Sequence, residues 1–134
     1  MSVSIQYRQL DAAKDYKALT ADTTLTASES GKTLILDGIG EAITLPAVKA
    51  GLNYKFICGV TAVTTDWTIV AATNVIFGSA QVAGAVIAAD AENTITLVVA
   101  KFLPGDWVTL ESDGTNWYVE ASIVTTVGLT FTAP

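Results

Sequence analysis

The chain predicts an all-β domain, an antiparallel β-sandwich that is jelly-roll-like or barrel-like and carries an N-terminal arm, on three observations. Hydrophobic residues make up 51% of the 134 and charged residues only 15%, with long β-branched runs and little of the Glu, Lys and Gln that clothe helix surfaces. Turn signals recur about every 8 to 12 residues, the rhythm of sandwiches and barrels rather than of βαβ units. Asp113-Gly114 separates two alternating apolar runs, a hairpin signal, because Gly takes φ > 0 without steric cost and Asp tolerates it.

The elements follow in order. Residues 1–19 interleave charges through YRQLDAAKDYKAL without strand alternation and read as an arm, extended or a short helix; residues 20–134 form one β domain. TTLTA precedes the turn SESG, KTLILD runs into GIGE, AITLP is an edge-like piece stopped by Pro46, and NYKFICG is a strong strand. DWTIVAA, NVIFG, SAQVAGAVIAA, NTITLVVAKF, GDWVTLES, NWYVEAS and GLTFTA complete the series. SAQVAGAVIAADAEN is ambiguous, since Ala favours helix and Val, Ile and Gly do not.

A two-residue turn at Asp113-Gly114 would pair Leu110 with Trp117, Val108 with Val119, Thr109 with Tyr118 and Trp107 with Glu120. Val108, Leu110, Trp117 and Val119 would then share a core face, and Trp107, Thr109, Tyr118 and Glu120 the other. Two large aromatics on that second face need a cover: a sister subunit, another protein, or a loop of the same chain.

Composition excludes several functions. Net charge is −6, and residues 57–134 hold seven acids against Lys101 alone, so neither nucleic acid nor an anionic membrane is an expected partner. The 23 residues Trp67–Ala89 carry no charge, yet Thr68, Thr73, Asn74, Ser79 and Gln81 punctuate them and Gly78 and Gly84 interrupt them, which argues for strands over a membrane span. The stretch MSVSIQYRQLDAAKDYK has no apolar h-region, so no signal peptide is expected there. Cys58 is the single cysteine and reads as a small buried hydrophobe.

The absence of histidine removes Ser-His-Asp and Cys-His nucleophiles and the commonest zinc ligand, and no enzyme activity, metal or cofactor is expected. SESGKT lacks the first glycine of a phosphate loop, since Thr26 holds that place; GIGEAI has Ile43 where a dinucleotide fingerprint needs its third glycine. Asp106, Glu111, Asp113 and Glu120 gather near one hairpin, but as turn and strand-solvating residues rather than a catalytic acid pair, and Asp90–Asn93 lacks the glycine and spacing of a calcium loop.

The succession TLTASESGKTLILDG, AITLPAVKAGLNYKFI and GDWVTLESDGTNWYV, spanning residues 20–120, resembles the head decoration (capsid cement) proteins of tailed bacteriophages, with related modules in tail fibres. The resemblance implies a homotrimer, made in the host cytoplasm and seated on the capsid exterior of the virion, where it clamps neighbouring copies of the major capsid protein. On that expectation the arm residues Tyr7, Arg8, Lys14, Tyr16 and Lys17 touch the capsid, and Trp107 and Tyr118 lie at a subunit interface. The alternative is a tail-fibre or baseplate β module that binds host carbohydrate through Trp67, Trp107 or Trp117. A small glycan-cleaving enzyme using Glu111 or Glu120 is a further, weaker alternative.

Overall fold

The computed structural model describes residues 15–134, which fold into two sheets around one core. Twelve strands follow in chain order: β1 (Tyr16–Leu19), β2 (Thr23–Thr24), β3 (Thr33–Leu36), β4 (Ala42–Thr44), β5 (Asn53–Cys58), β6 (Trp67–Val70), β7 (Ile76–Val82), β8 (Ala85–Glu92), β9 (Thr94–Leu97), β10 (Trp107–Ser112), β11 (Trp117–Ile123) and β12 (Leu129–Thr132). The larger sheet runs β1-β3-β5-β10-β11-β7-β8 and the smaller β12-β9-β6-β4-β2.

The all-β sandwich expected from the sequence is thus present, but its sheets are mixed rather than purely antiparallel: β1–β3, β3–β5, β2–β4, β4–β6 and β7–β11 pair in parallel. The cause lies in the winding. From β1 to β6 the chain crosses to the opposite sheet after every strand, so each return adds a strand pointing the same way as its neighbour. The crossover that parallel pairing requires is supplied by a strand of the facing layer instead of a helix.

Two local expectations change, and one ambiguous stretch resolves as strand. Tyr16–Leu19, assigned to the arm, is an edge strand of the larger sheet, anchored by Leu19 at 2% exposure and paired Tyr16 to Thr33. AITLP is not an edge: β4 lies between β2 and β6, and Pro46 stands just past its end, where Leu45 makes the last bond to the Val70 carbonyl at 2.8 Å. SAQVAGAVIAADAEN is strand from Ser79 to Glu92 apart from the turn Ala83-Gly84, whose φ values of +51° and +82° suit a two-residue hairpin connection.

The hairpin β10–β11 keeps its predicted faces but not its predicted register. Leu110 pairs with Val119, Val108 with Ala121 and Trp107 with Ser122, two positions from the expected partners. The connection is four residues long because the Asp113 carboxylate accepts the N–H groups of Thr115 (2.9 Å) and Asn116 (2.8 Å), closing a wider loop than Asp-Gly alone would. A slip of two preserves side-chain parity, so Val108, Leu110, Trp117 and Val119 are all buried, with at most 5% exposure.

Between the sheets, Trp67, Trp117, Tyr54, Phe56 and Phe102 are at most 1% exposed. Tyr54 meets Trp117 at 5.9 Å between ring centroids, tilted by 41°, and its hydroxyl donates to the Thr26 carbonyl at 2.7 Å. The indole N–H groups of Trp67 and Trp117 find no acceptor among the described residues, a desolvation cost of about 1–3 kcal/mol each that their burial offsets.

The outward face of the smaller sheet explains how a chain so poor in charge stays wetted. Its cross-strand rows are Thr130, Thr96, Thr68, Ala42 and Thr132, Thr94, Val70, Thr44, Thr24, with no ionisable side chain among them. Threonine brings a polar hydroxyl to this face while its branched Cβ suits the pleat.

A 3₁₀ turn at Ala27–Glu29 ties β1 to the body. Glu29, 9% exposed, accepts from the Lys17 ammonium at 2.6 Å and from the Thr26 N–H at 3.2 Å. The Lys17 hydrogen bond, more than any other influence, holds the carboxyl below its ordinary value of 4.5 against the opposing effect of burial. Its contribution is therefore complete above 4.5 and lost as pH falls through the lower folded value. Lys17 is 44% exposed, so screening by water keeps the contribution of this ion pair to stability small. Glu29→Gln should cost about 1 kcal/mol at neutral pH and flatten the acid limb of stability, as read by urea melts at neutral and acid pH.

Candidate functional site

The pairing directions gather the C-terminal ends of β1, β3, β5, β7, β9 and β11 at one end of the sandwich with the N-terminal ends of β2, β4, β6, β8, β10 and β12. Loops 37–41, 59–66, 98–106 and 124–128 meet there. Thr65 N–H bonds the Ile39 carbonyl (3.0 Å), Ala100 N–H the Ala62 carbonyl (2.8 Å) and Val98 N–H the Gly128 carbonyl (2.9 Å), so the loops brace one another.

This loop end carries the apolar surface. Eight large hydrophobic residues are exposed among the described residues; Ile39, Val60, Val63 (77%), Val124 (71%) and Val127 lie in these loops, and Val86 (71%) follows the β7–β8 turn at the same end. The remaining two are Tyr16 and Tyr118. An apolar cleft of about 400 Å³, lined by Val82, Ile87, Val127, Leu129 and Phe131, extends this surface between the edge strands β8 and β12.

Carboxylates hold the loops in place. Asp66 accepts the Val99 N–H at 2.7 Å and Asp22 the Ala42 N–H at 2.8 Å. Asp106, 3% exposed, accepts from Leu103 (2.9 Å) and Val124 (3.3 Å), joining two loops through one side chain. Partial desolvation, then the hydrogen bond and charge of Asp22, raise the Glu41 carboxyl above its ordinary value. Cys58 lies beneath, its thiol donating to the Phe102 carbonyl at 3.2 Å; burial first, then Asp106 and Asp37, push it up to about 11, leaving it an inert thiol near neutrality.

Of the residues expected to act, Tyr7, Arg8 and Lys14 lie outside the described residues. Tyr16 is 57% exposed on β1, at the end opposite the loops, while the Lys17 ammonium is engaged by Glu29. Trp107 is half-buried on the outer face of the larger sheet, with the Lys55 ammonium 5.5 Å from its ring centroid. Tyr118 shares that face, 44% exposed, its hydroxyl donating to Asp113 at 2.8 Å. These hydrogen bonds hold the Asp113 carboxyl below its ordinary range, the backbone donors of Asn116 and Thr115 ahead of the Tyr118 hydroxyl.

Both aromatics keep some exposure on this face, and their neighbours Lys55, Glu111, Glu120 and Asp90 wet it. Sequence reasoning missed Val60, Val63, Val124 and Val127. The available signal was single valines inside polar loops, in GVTAVTTD and IVTTVGL, where no strand alternation requires them.

Among the described residues no group of three or more potential metal ligands converges, and no helix is long and apolar enough to cross a membrane. Fold and surface together define a mixed-sheet β-sandwich with one apolar end. No family model matches the chain, and no curated protein matches it.

Proposed function

We propose that this chain is a structural virion protein that binds the outer surface of a phage capsid as a homotrimer and reinforces it. The observation that carries the reading is the concentration of exposed valines and Ile39 at one end of a well-filled sandwich. A domain that buries its core to this degree gains nothing by leaving six apolar side chains together in water unless something covers them. The loop end takes over the contact role that sequence reasoning gave to Trp107 and Tyr118, whose surroundings are charged. Trimeric presentation would multiply modest apolar contacts into firm attachment without any chemistry.

The test is native mass followed by mixing with undecorated heads. The wild type should sediment at three times its 14.0 kDa mass and fill heads. The double variant Val63→Asp, Val124→Asp should keep its fold, since both sites are more than 70% exposed, and lose assembly or head binding by at least about tenfold. A wild-type monomer indifferent to heads would overturn the reading. Removing residues 1–14 tests the arm without deleting β1, which a cut at residue 19 would do.

The carbohydrate alternative narrows to one residue. Trp67 and Trp117 are 0% exposed, which leaves Trp107 as the indole able to stack on a sugar.

A further inference from the structure

On the outer face of the larger sheet, beside Trp107, lies a cavity of about 330 Å³ walled by that indole and by Ser79, Gln81, Glu120 and Ser122. Register explains the grouping. Trp107, Ser122 and Gln81 occupy one cross-strand row, and Glu120 and Ser79 the next, so four polar side chains from β7 and β11 stand beside one aromatic from β10. Lys55 approaches the indole from β5, on the far side of β10 from β11 and β7.

We propose that this cavity binds a neutral hexopyranose unit, with the indole against the sugar's C–H face and the four polar side chains on its hydroxyls. The volume lies at the small end of ordinary ligand sites, about 300–1,000 Å³, as one sugar ring requires. An aliphatic ligand would leave the two hydroxyls, the amide and the carboxylate without partners. A stacked nucleobase would bring phosphates to a site whose wall contains Glu120, on a chain of net charge −6. The same charges disfavour sialic and uronic acids. A pyranose alone among these combines an apolar face with a rim of hydroxyl donors and acceptors. This site goes beyond shell assembly and is separate from the loop end, except that Val86 borders both.

Trp107 is the most exposed of the three tryptophans, the other two being sealed at 0%, so its emission reports on the cavity. The full chain would be titrated with the methyl β-glycosides of galactose, glucose and N-acetylglucosamine, and with sialic acid as the charged comparison. At least one neutral glycoside should give a saturable emission change in the millimolar range, and sialic acid none. Calorimetry should show binding lost in Trp107→Ala and weakened about 3- to 10-fold in Glu120→Gln and Gln81→Ala, both at exposed positions where the fold is indifferent. No saturable response to any neutral glycoside, unchanged affinity in all three variants, or preference for sialic acid would each overturn the proposal. Head binding by Trp107→Ala is read in parallel, so failure of the sugar site and failure of the assembly reading are distinguished.

Discussion

Gly78→Ala is expected to destabilise the domain by at least about 3 kcal/mol and to lower its melting temperature by roughly 10 °C. Gly78 adopts φ +133° within β7, directly opposite Val119 of β11. A Cβ there would stand 2.2 Å from the Val119 carbonyl oxygen and 3.0 Å from its nitrogen, and both are backbone atoms in a central pairing. No rotamer change relieves such a clash; either β7 leaves β11 or the register breaks. The irregularity between Ile76 and Phe77 marks where β7 is already bent to fit between β11 and β8. Gly84→Ala is the control: φ is +82°, but nothing lies within 4 Å of its Cβ position, so only about 1 kcal/mol should be lost. Equal losses in the two variants, measured by thermal and denaturant melts, would show that positive φ and not strand contact governs Gly78.

Asp106→Ala should cost about 3 kcal/mol and loosen the loop end specifically. The carboxylate is 3% exposed and accepts backbone N–H groups from Leu103 and Val124, neither of which has a substitute acceptor once it is gone. Asp106→Asn keeps one acceptor oxygen and should recover about half of the loss. Amide exchange read by NMR should accelerate at Leu103 and Val124 in Asp106→Ala more than at core amides remote from it, such as Ile69. Because Val124 is one of the exposed apolar residues of that end, the variant should also weaken assembly at temperatures where the domain stays folded.

Much of this fold was legible in the chain. Alternation placed Val108, Leu110, Trp117 and Val119 correctly inside, because side-chain parity depends only on the strand period and survives the two-residue error at Asp113. The register itself was not legible, since it depended on one carboxylate choosing the N–H groups of Thr115 and Asn116 over a tighter turn. Parallel pairing was hidden for a different reason. Turn spacing reports how often the chain reverses, not whether a reversal returns to the same sheet or crosses to the facing one. The shallow cavity beside Trp107 draws on four strands, two of which, β7 and β11, pair in parallel, so no local motif could announce it. The loop valines were visible as letters but carried no period to single them out.

The threonine rows of the smaller sheet have a consequence for behaviour in acid. Hydroxyl groups do not titrate and gather no counterions, so that wall keeps its hydration when the carboxylates elsewhere discharge. Passing through the isoelectric region near 4.3 would remove the mutual repulsion between molecules while leaving this flank as wet as before. Any clumping in that range should therefore be directional, driven from the valine-bearing pole, and should spare the hydroxylated side.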